Sequence, residues 1–299
     1  MSINLPDHYT ISFSTNISLK LQQMGSMLRG TVTEGSYEGK SASPVNQYAP
    51  IAMNRVSSRF APMQRVDAVP DRRWVAPADF DLPQLVDTFD KLKTLLDPES
   101  SYVTNAVLAA GREIDIVILQ ATIAAAATGE QGAGSTAFNA SNTVTVSVGE
   151  TNSRLNVPKL LQLKEKMGAN FVDLDREEVY MPLTAKDESS MLAQIQVVSK
   201  DFNGSDKPVL QDGRLHRFLG INFVRCEQAE VTMVSAGNNR IDIPVWVKSG
   251  MHLGIWNDIT TDISRRNDLQ GLPWQAYVYL SCGATRLEEN KVYTVQSYR

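Results

Sequence analysis

The stretch that decides the fold of this chain, residues 29–82, reads RGTVTEGSYEGKSASPVNQYAPIAMNRVSSRFAPMQRVDAVPDRRWVAPADFDL. It holds five of the chain's 13 prolines, shows no helical period, and carries its large apolar residues singly, so it cannot build a core of its own. A structureless connection of this length is unusual in a compact domain. Its aromatic and β-branched residues are not typical of disorder. The stretch is therefore predicted to be an extended arm that becomes ordered against a neighbouring subunit.

The charge distribution agrees with such a contact. Residues 1–75 carry 8 Lys/Arg and 5 Asp/Glu, a net +3, whereas the remaining residues carry 21 and 28, a net −7. A basic arm and an acidic body attract each other between subunits. The overall charge of −4 argues against a dedicated nucleic-acid-binding protein.

Helical patterns lie on both sides of this arm. Apolar residues from Ile17 to Leu28 recur at helical spacing and predict a short amphipathic helix that ends before Gly30. After the arm, the helix-start signal at residues 97–99 and one continuous apolar face predict a long helix over 98–128. Gly111 in its interior indicates a close packing contact or a slight bend. The glycines at 129–134 are predicted to end the helix and form a loop.

The rest of the chain is a mixture of short helices and strands. Asn156 and Thr184 are predicted to cap two helices. Strands are predicted at 143–148, 179–181, 218–224, 231–234, 241–247, 254–256, 274–279 and 292–295. Because strands and helices are segregated along the sequence, the fold class is predicted to be α+β.

Residues that carry chemistry are sparse. The sequence contains only three histidines, and it has no G-x-S-x-G elbow, no H-E-x-x-H helix and no P-loop. An enzyme would have to use His216 or His252 without a supporting signature. We therefore expect no catalytic residue, no cofactor and no metal. The chain also has no run of apolar residues long enough to span a membrane.

Taken together, these patterns resemble the major capsid proteins of tailed bacteriophages of the Hong Kong 97 type. The similarity is carried by residues 17–28 leading into 30–33, which look like the arm helix entering the extended loop, and by the approach to the long helix at 87–115. It is also carried by the segment LQDGRLHRFLGINF at 210–223 and by GATRL at 283–287. It implies an arm at 1–30 with a short helix, an extended β loop at 31–82, a peripheral domain at 83–183 and 262–299 with a spine helix at 98–128, and an axial domain at 184–261.

The resemblance also implies a function. The chain is expected to be a structural protein of the virion that self-assembles, as hexamers and pentamers of many copies, into an icosahedral shell around double-stranded DNA. Scaffolding, portal and cement proteins are possible further partners, and the DNA would be contacted only by non-specific proximity. No membrane partner is implied, and assembly is expected in the host bacterial cytoplasm.

Candidate contacts between subunits are the arginines and aromatic residues of the arm, because these residue types are enriched at interfaces. The candidates are Arg55, Arg59, Phe60, Arg72, Arg73 and Trp74. Three alternatives stay open on the sequence: an encapsulin-like cellular shell protein, an oligomeric hydrolase with a dimerisation arm, and a tail or adhesin component.

Overall fold

The computed structural model describes residues 22–55, 58–60, 62–63, 65–86, 99–149, 152–194, 210–211, 214–235, 239–270 and 272–299. Strands β1–β17 are Thr33–Ser36, Ala42–Tyr48, Pro70–Val75, Ala78–Val86, Ala126–Thr128, Gly134–Thr136, Thr143–Val144, Val179–Leu183, Leu210–Gln211, Arg214–Leu215, Arg217–Phe218, Ile221–Arg225, Val234–Ser235, Arg240–Val247, Met251–Arg265, Trp274–Arg286 and Val292–Tyr298. Helices α1–α4 are Glu99–Ile123, Val157–Ala169, Ala185–Leu192 and Gln228–Thr232. In this part of the chain, no helix is long and apolar enough to cross a membrane.

A four-strand sheet in the order β1-β15-β16-β4 supports the longest helix, α1. Its centre is the antiparallel hairpin of β15 and β16, on which β4 adds an antiparallel strand and β1 a parallel one. Leu280 and Cys282 of β16 are buried in the same core as Ile114 and Ile118 of α1. Burial of this alternating apolar face fixes the register of the sheet.

A second sheet, in the order β11-β12-β8-β14-β17-β7 with β13 paired to β14, forms the other half of the core. Trp246 and Tyr293 are its largest fully buried aromatic side chains, and α2 packs on it through Leu160 and Leu163. The predicted boundaries at 183/184 and 261/262 do not coincide with this sheet. This sheet combines strands from the predicted peripheral domain (β7, β8 and β17) with strands from the predicted axial domain, among them β12 and β14. The two sets join because β14 pairs antiparallel with both β17 and β8, which closes the core around Trp246 and Tyr293.

The predicted extended loop contains an antiparallel hairpin of β2 and β3, in which Tyr48 pairs with Pro70. We call β2, β3 and the intervening residues 49–69 the extended hairpin, and residues 49–69 the tip loop. The hairpin belongs to a small sheet in the order β2-β3-β5-β6.

The predicted helix at residues 17–28 is wrong over the part that the structure describes. Residues 22–28 follow an irregular path along α1, and Gly25 has a φ of +79°. The Asp115 carboxylate on α1 accepts hydrogen bonds from the backbone N–H groups of Met27 and Leu28, at 3.0 Å each, and from Ser26 Oγ at 2.6 Å. These bonds satisfy the backbone without a helix. Residues 17–21 lie outside the described residues.

The long helix also ends earlier than predicted, at Ile123 instead of 128. Residues 126–128 instead form β5, which pairs with β3 of the extended hairpin, and the glycines at 129–134 turn β5 into β6. The helix starts within the prediction, at Glu99, whereas 97 and 98 lie outside the described residues.

Two predicted strands also need correction. Residues 228–232 form α4, so only Val234 of the predicted strand 231–234 is extended. Of the strand predicted at 143–148, only Thr143 and Val144 pair, in parallel with β17. The predicted caps are confirmed, since Asn156 accepts a hydrogen bond from Lys159 N and Thr184 from Asp187 N. The α+β class is confirmed as well.

Candidate assembly surface

The root of the extended hairpin is fixed to its own chain through Trp74. Trp74 pairs with Ala127 of β5, and its indole Nε1–H donates to Gly129 O at 2.7 Å. Gly132 lies against the indole with a φ of +74°, and a Cβ there would be 3.1 Å from Trp74 Cγ. A glycine is therefore required at this turn for both its conformation and its close approach.

Arg73 continues this anchor into the interior. Only 5% of the residue is exposed, and its Nη2 donates to Glu289 Oε2 at 2.7 Å. Glu289 Oε1 accepts from Arg286 Nε at 3.2 Å. Arg286 in turn donates from Nη1 to the carbonyls of Thr122 and Ala124, at 2.8 and 2.9 Å. One carboxylate thus joins the hairpin root to the arginine that satisfies the carbonyl end of α1.

The buried Arg286 guanidinium lies in an environment that opposes its charge. Burial lowers the pKa of Arg286, and the neighbouring Glu289 carboxylate acts in the opposite direction. A buried charge is tolerated when it is paired and hydrogen-bonded. Glu289 is therefore the counter-charge of Arg286 and the nearer of two carboxylates beside Arg73, whose Nη2 also lies 3.6 Å from Asp71 Oδ2.

The tip loop, in contrast, exposes its apolar side chains to solvent. Met53 and Phe60 are each 102% exposed, and Met63 is 98% exposed. Arg55 and Arg59 are exposed beside them. Phe60 has a φ of 65°, which is a strained conformation for a residue that is not glycine. Such a group of exposed apolar residues marks an interaction site.

The six arm residues predicted from the sequence therefore divide into two groups. Arg55, Arg59 and Phe60 are exposed on the tip loop, whereas Arg73 and Trp74 make their contacts within one chain. Arg72 lies between the groups: it is half-buried, its Nε donates to Asn46 Oδ1 at 2.8 Å, and its guanidinium lies 5.8 Å from the centroid of the Trp74 ring.

A second surface, on the outward side of the four-strand sheet, was not predicted from the sequence. Tyr277 and Tyr279 of β16 stack on each other with ring centroids 5.4 Å apart. In the sheet register, Tyr279 lies opposite Asp81 of β4, and Tyr277 lies opposite Asp262 of β15. Directly paired residues point to the same side of a sheet. With Asp79, two residues before Asp81, these side chains form what we call the acidic tyrosine face.

The acidic tyrosine face is available for contact. Asp79, Asp81, Asp262 and Tyr279 are exposed. Ser281 Oγ donates to Asp79 Oδ1 at 2.6 Å, and the Tyr277 hydroxyl lies 3.5 Å from Asp81 Oδ2. The face therefore offers three carboxylates and two aromatic rings.

The histidines considered for an enzyme have different surroundings. His216 is exposed, whereas His252 is a buried residue of β15 that pairs with Thr33 of β1. Thr33 Oγ1 donates to Met251 O at 2.7 Å, so it accepts from His252 Nδ1 at 3.0 Å. Tyr37 then donates to Nε2 at 2.9 Å. Burial lowers the pKa of His252, consistent with a neutral ring that holds β1 to the sheet.

Metal ligands do not cluster within the described ranges, where no group of three or more His, Cys, Asp or Glu side chains is arranged to hold an ion. The function of the protein therefore has to explain two exposed surfaces, the tip loop and the acidic tyrosine face.

Comparison with known proteins identifies the family. A sequence profile of the phage capsid protein family matches residues 5–298, which is nearly the whole chain. The chain belongs to the phage capsid protein family. No curated protein sequence is significantly similar to this capsid protein.

Solved structures agree on the fold. The capsid protein is similar to the capsid of cyanophage Pam1, with a TM-score of 0.74 and 12% identity over 98% of this chain and 97% of that chain. It is similar to the capsid of cyanophage P-SCSP1u, with a TM-score of 0.71 and 13% identity over 99% of this chain and 95% of that chain. It is also similar to a Mycobacterium phage Che8 structure, with a TM-score of 0.70 and 11% identity over 98% of both chains.

The predicted resemblance is thus confirmed, and the capsid protein has the Hong Kong 97-type fold. It is a structural protein of the virion, a major capsid protein that assembles in many copies into an icosahedral shell, and not an enzyme. The family match does not favour the encapsulin-like or hydrolase alternatives.

Proposed function

We propose that copies of this capsid protein hold together by placing the tip loop of one copy on the acidic tyrosine face of a neighbour. Exposed apolar residues with no core of their own are the observation that carries this proposal. An extended segment that cannot bury its side chains in its own chain gains order when a second chain covers them. In a closed symmetric shell, every copy both donates and receives one such contact.

The two surfaces are complementary in charge. The tip loop contains Arg55, Arg59 and Arg65 against Asp67, a net +2, and the face presents three aspartates. Opposite charges of this kind steer association and suppress wrong partners. The stacked tyrosines supply aromatic area for Phe60, and arginines also stack well on aromatic faces.

The gain from apolar burial is large enough to matter. Burying one large apolar side chain contributes ~1.5–3 kcal/mol, so Met53, Phe60 and Met63 together supply ~5–9 kcal/mol per contact before the cost of ordering the loop. Because each copy makes several contacts at once, weak individual contacts are sufficient for a stable shell.

The finer assignments follow from this role. We infer that the shell is built of hexamers and pentamers, encloses the double-stranded DNA of a tailed phage, and assembles in the host bacterial cytoplasm. The DNA is contacted only by non-specific proximity, as the net charge of −4 suggests. Scaffolding, portal and cement proteins would act as separate partners of the shell.

The test shortens the extended hairpin without disturbing its root. Ala49 N donates to Val69 O at 3.0 Å, so residues 50–68 can be replaced by an Asn-Gly turn that closes a two-residue hairpin. We expect a folded, soluble chain that no longer closes shells, as seen by electron microscopy. Closed shells of normal diameter from this variant would contradict the proposal.

A second variant keeps the length of the loop and removes only its apolar contacts. The triple change Met53→Ser, Phe60→Ser and Met63→Ser is expected to lower the yield of closed shells at least tenfold at equal expression. Val231→Ser is the matched control, since Val231 is an exposed apolar residue on α4, outside the extended hairpin, the acidic tyrosine face and α2. It should leave shell yield unchanged.

A further inference from the structure

Phe171 follows α2 in a conformation that disfavours its residue type. Its N–H donates to Gly168 O, and Val172 N–H donates to Met167 O, both at 3.0 Å. This is the hydrogen-bond pattern of a left-handed helix end, where glycine is usual. Phe171 has a φ of +61°, and its side chain is 95% exposed. The residue therefore carries about 1–2 kcal/mol of backbone strain without burying its ring.

An exposed aromatic residue on a strained backbone points to a contact outside its own chain. Since this protein works as many copies, the partner with the strongest claim is a second copy. The turn beyond Phe171 is acidic, with exposed Asp173 and Asp175. A surface that receives Phe171 should therefore offer a cleft and a positive charge.

Such a surface lies at the opposite end of the same helix. A cleft of about 540 Å³ is lined there by Arg154, Asn156 and Pro158, among other residues. Its volume falls in the range of binding pockets, about 300–1,000 Å³. Arg154 is partly exposed, with 27% of its side chain accessible. Its Nη1 atom is buried, has no hydrogen-bond acceptor among the described residues, and lies 4.0 Å from Asp187 Oδ1. The cleft thus presents a partly exposed guanidinium that is only loosely paired within the described part of its own chain.

We propose that Phe171 of one copy enters the Arg154 cleft of the next copy, so that α2 joins the subunits head to tail. The inference rests on the proposed function, since it needs a shell of many copies. The Arg154 guanidinium would stack on the phenyl ring and pair with Asp175. Phe171 and the Arg154 cleft lie at the two ends of α2, a 13-residue helix that is about 20 Å long. When two different patches on each subunit bind head to tail, the subunits form a ring if the rotation between neighbours closes on itself.

The first test removes the ring of Phe171. Phe171→Gly relieves the strained backbone, so the isolated chain should be at least as stable as the wild type in urea unfolding. We expect its yield of closed shells to fall at least tenfold, whereas Phe171→Tyr should keep it. Wild-type shell yield from Phe171→Gly would overturn the inference and leave the proposed function intact. Failure of the wild-type chain to form shells would instead refute the proposed function.

The second test reverses the charges. Arg154→Glu and Asp175→Arg are each expected to lower shell yield, and the double exchange should restore it at least tenfold over either single variant. Absence of restoration would overturn the pairing of these two residues.

The third test measures proximity directly. Asp173→Cys and Pro158→Cys are made in separate chains, co-expressed and oxidised, because both residues are exposed, Pro158 lines the cleft, and Phe171, Arg154 and Asp175 stay intact. We expect a disulfide-linked dimer only in the mixture, identified by mass spectrometry of the 158–173 cross-link. The native Cys226 and Cys282 should not interfere, since both are buried and burial raises the pKa of each thiol to about 11. Shells that assemble without this cross-link would overturn the proposal.

Discussion

Replacing Gly111 with alanine sets a local gain in helix propensity against a tertiary clash. Gly111 lies in the interior of α1, where alanine is favoured over glycine by about 1 kcal/mol. Its α-carbon faces residues 25–26 of the N-terminal segment. A Cβ at this position would lie 2.6 Å from Ser26 N and 2.7 Å from the C and Cα atoms of Gly25. Backbone atoms cannot swing aside as a flexible side chain can.

The magnitude follows from these contacts. Overpacking of this kind costs about 1–3 kcal/mol. A shift of the N-terminal segment also breaks at least one hydrogen bond to the Asp115 carboxylate, which accepts from Met27 N and Leu28 N at 3.0 Å each. A hydrogen bond to a charged group contributes about 1.5–3 kcal/mol. Subtracting the 1 kcal/mol gain in propensity leaves an expected loss of about 1.5–5 kcal/mol in the free energy of unfolding.

The assay is urea unfolding of the unassembled chain, followed by circular dichroism, with Gly168→Ala as the matched control. Gly168 also lies in a helix, α2, but a Cβ there would meet nothing within 4 Å. The control should keep or raise the free energy of unfolding, by up to about 1 kcal/mol, while Gly111→Ala lowers it. Equal behaviour of the two variants would refute the close approach between α1 and the N-terminal segment.

Two further predictions concern buried charges. Glu289→Gln removes the counter-charge shared by Arg73 and Arg286, so the free energy of unfolding should fall by about 3–5 kcal/mol. The control Glu288→Gln loses only an exposed contact with Lys291 and should cost no more than about 1 kcal/mol. Similar losses for the two variants in urea unfolding would argue against the shared role of Glu289. Burial lowers the pKa of Lys159 from 10.5 to about 8, so the unfolded chain binds more protons between pH 8 and 10.5, and this residue's contribution to stability should rise with pH in that window. Lys159→Met should remove that rise, and an unchanged slope of unfolding free energy against pH would contradict it.

The capping signals in the sequence predicted local structure well, whereas apolar periodicity alone did not at residues 22–28. The caps at Asn156 and Thr184 depend on a side chain and a backbone group three residues apart, and both are present. The packing contact expected at Gly111 is confirmed as well. The end of α1 was not predictable in this way. Its alanine-rich continuation favours helix, but pairing with β3 outweighs that propensity, and Arg286, more than 150 residues away, satisfies the helix carbonyls.

At the candidate assembly surface, too, some features could be predicted from the sequence and others could not. The exposed apolar residues of the tip loop could be predicted, because a segment with no period and no core has to bury its side chains elsewhere. The intrachain role of Arg73 and Trp74 could not, since it depends on Glu289 and Gly129, which are distant in sequence. The acidic tyrosine face arises only when β4, β15 and β16 align in register. The strain at Phe171 has no signature in the sequence at all.

A cryo-electron microscopy map of the assembled shell tests the central claim most directly. The map should place the tip loop, residues 49–69, against another copy, with Phe60 within 4–5 Å of Tyr277 or Tyr279 and an arm arginine beside Asp81. A tip loop that folds back on its own chain, or that projects into solvent without touching a neighbouring copy, would contradict the account.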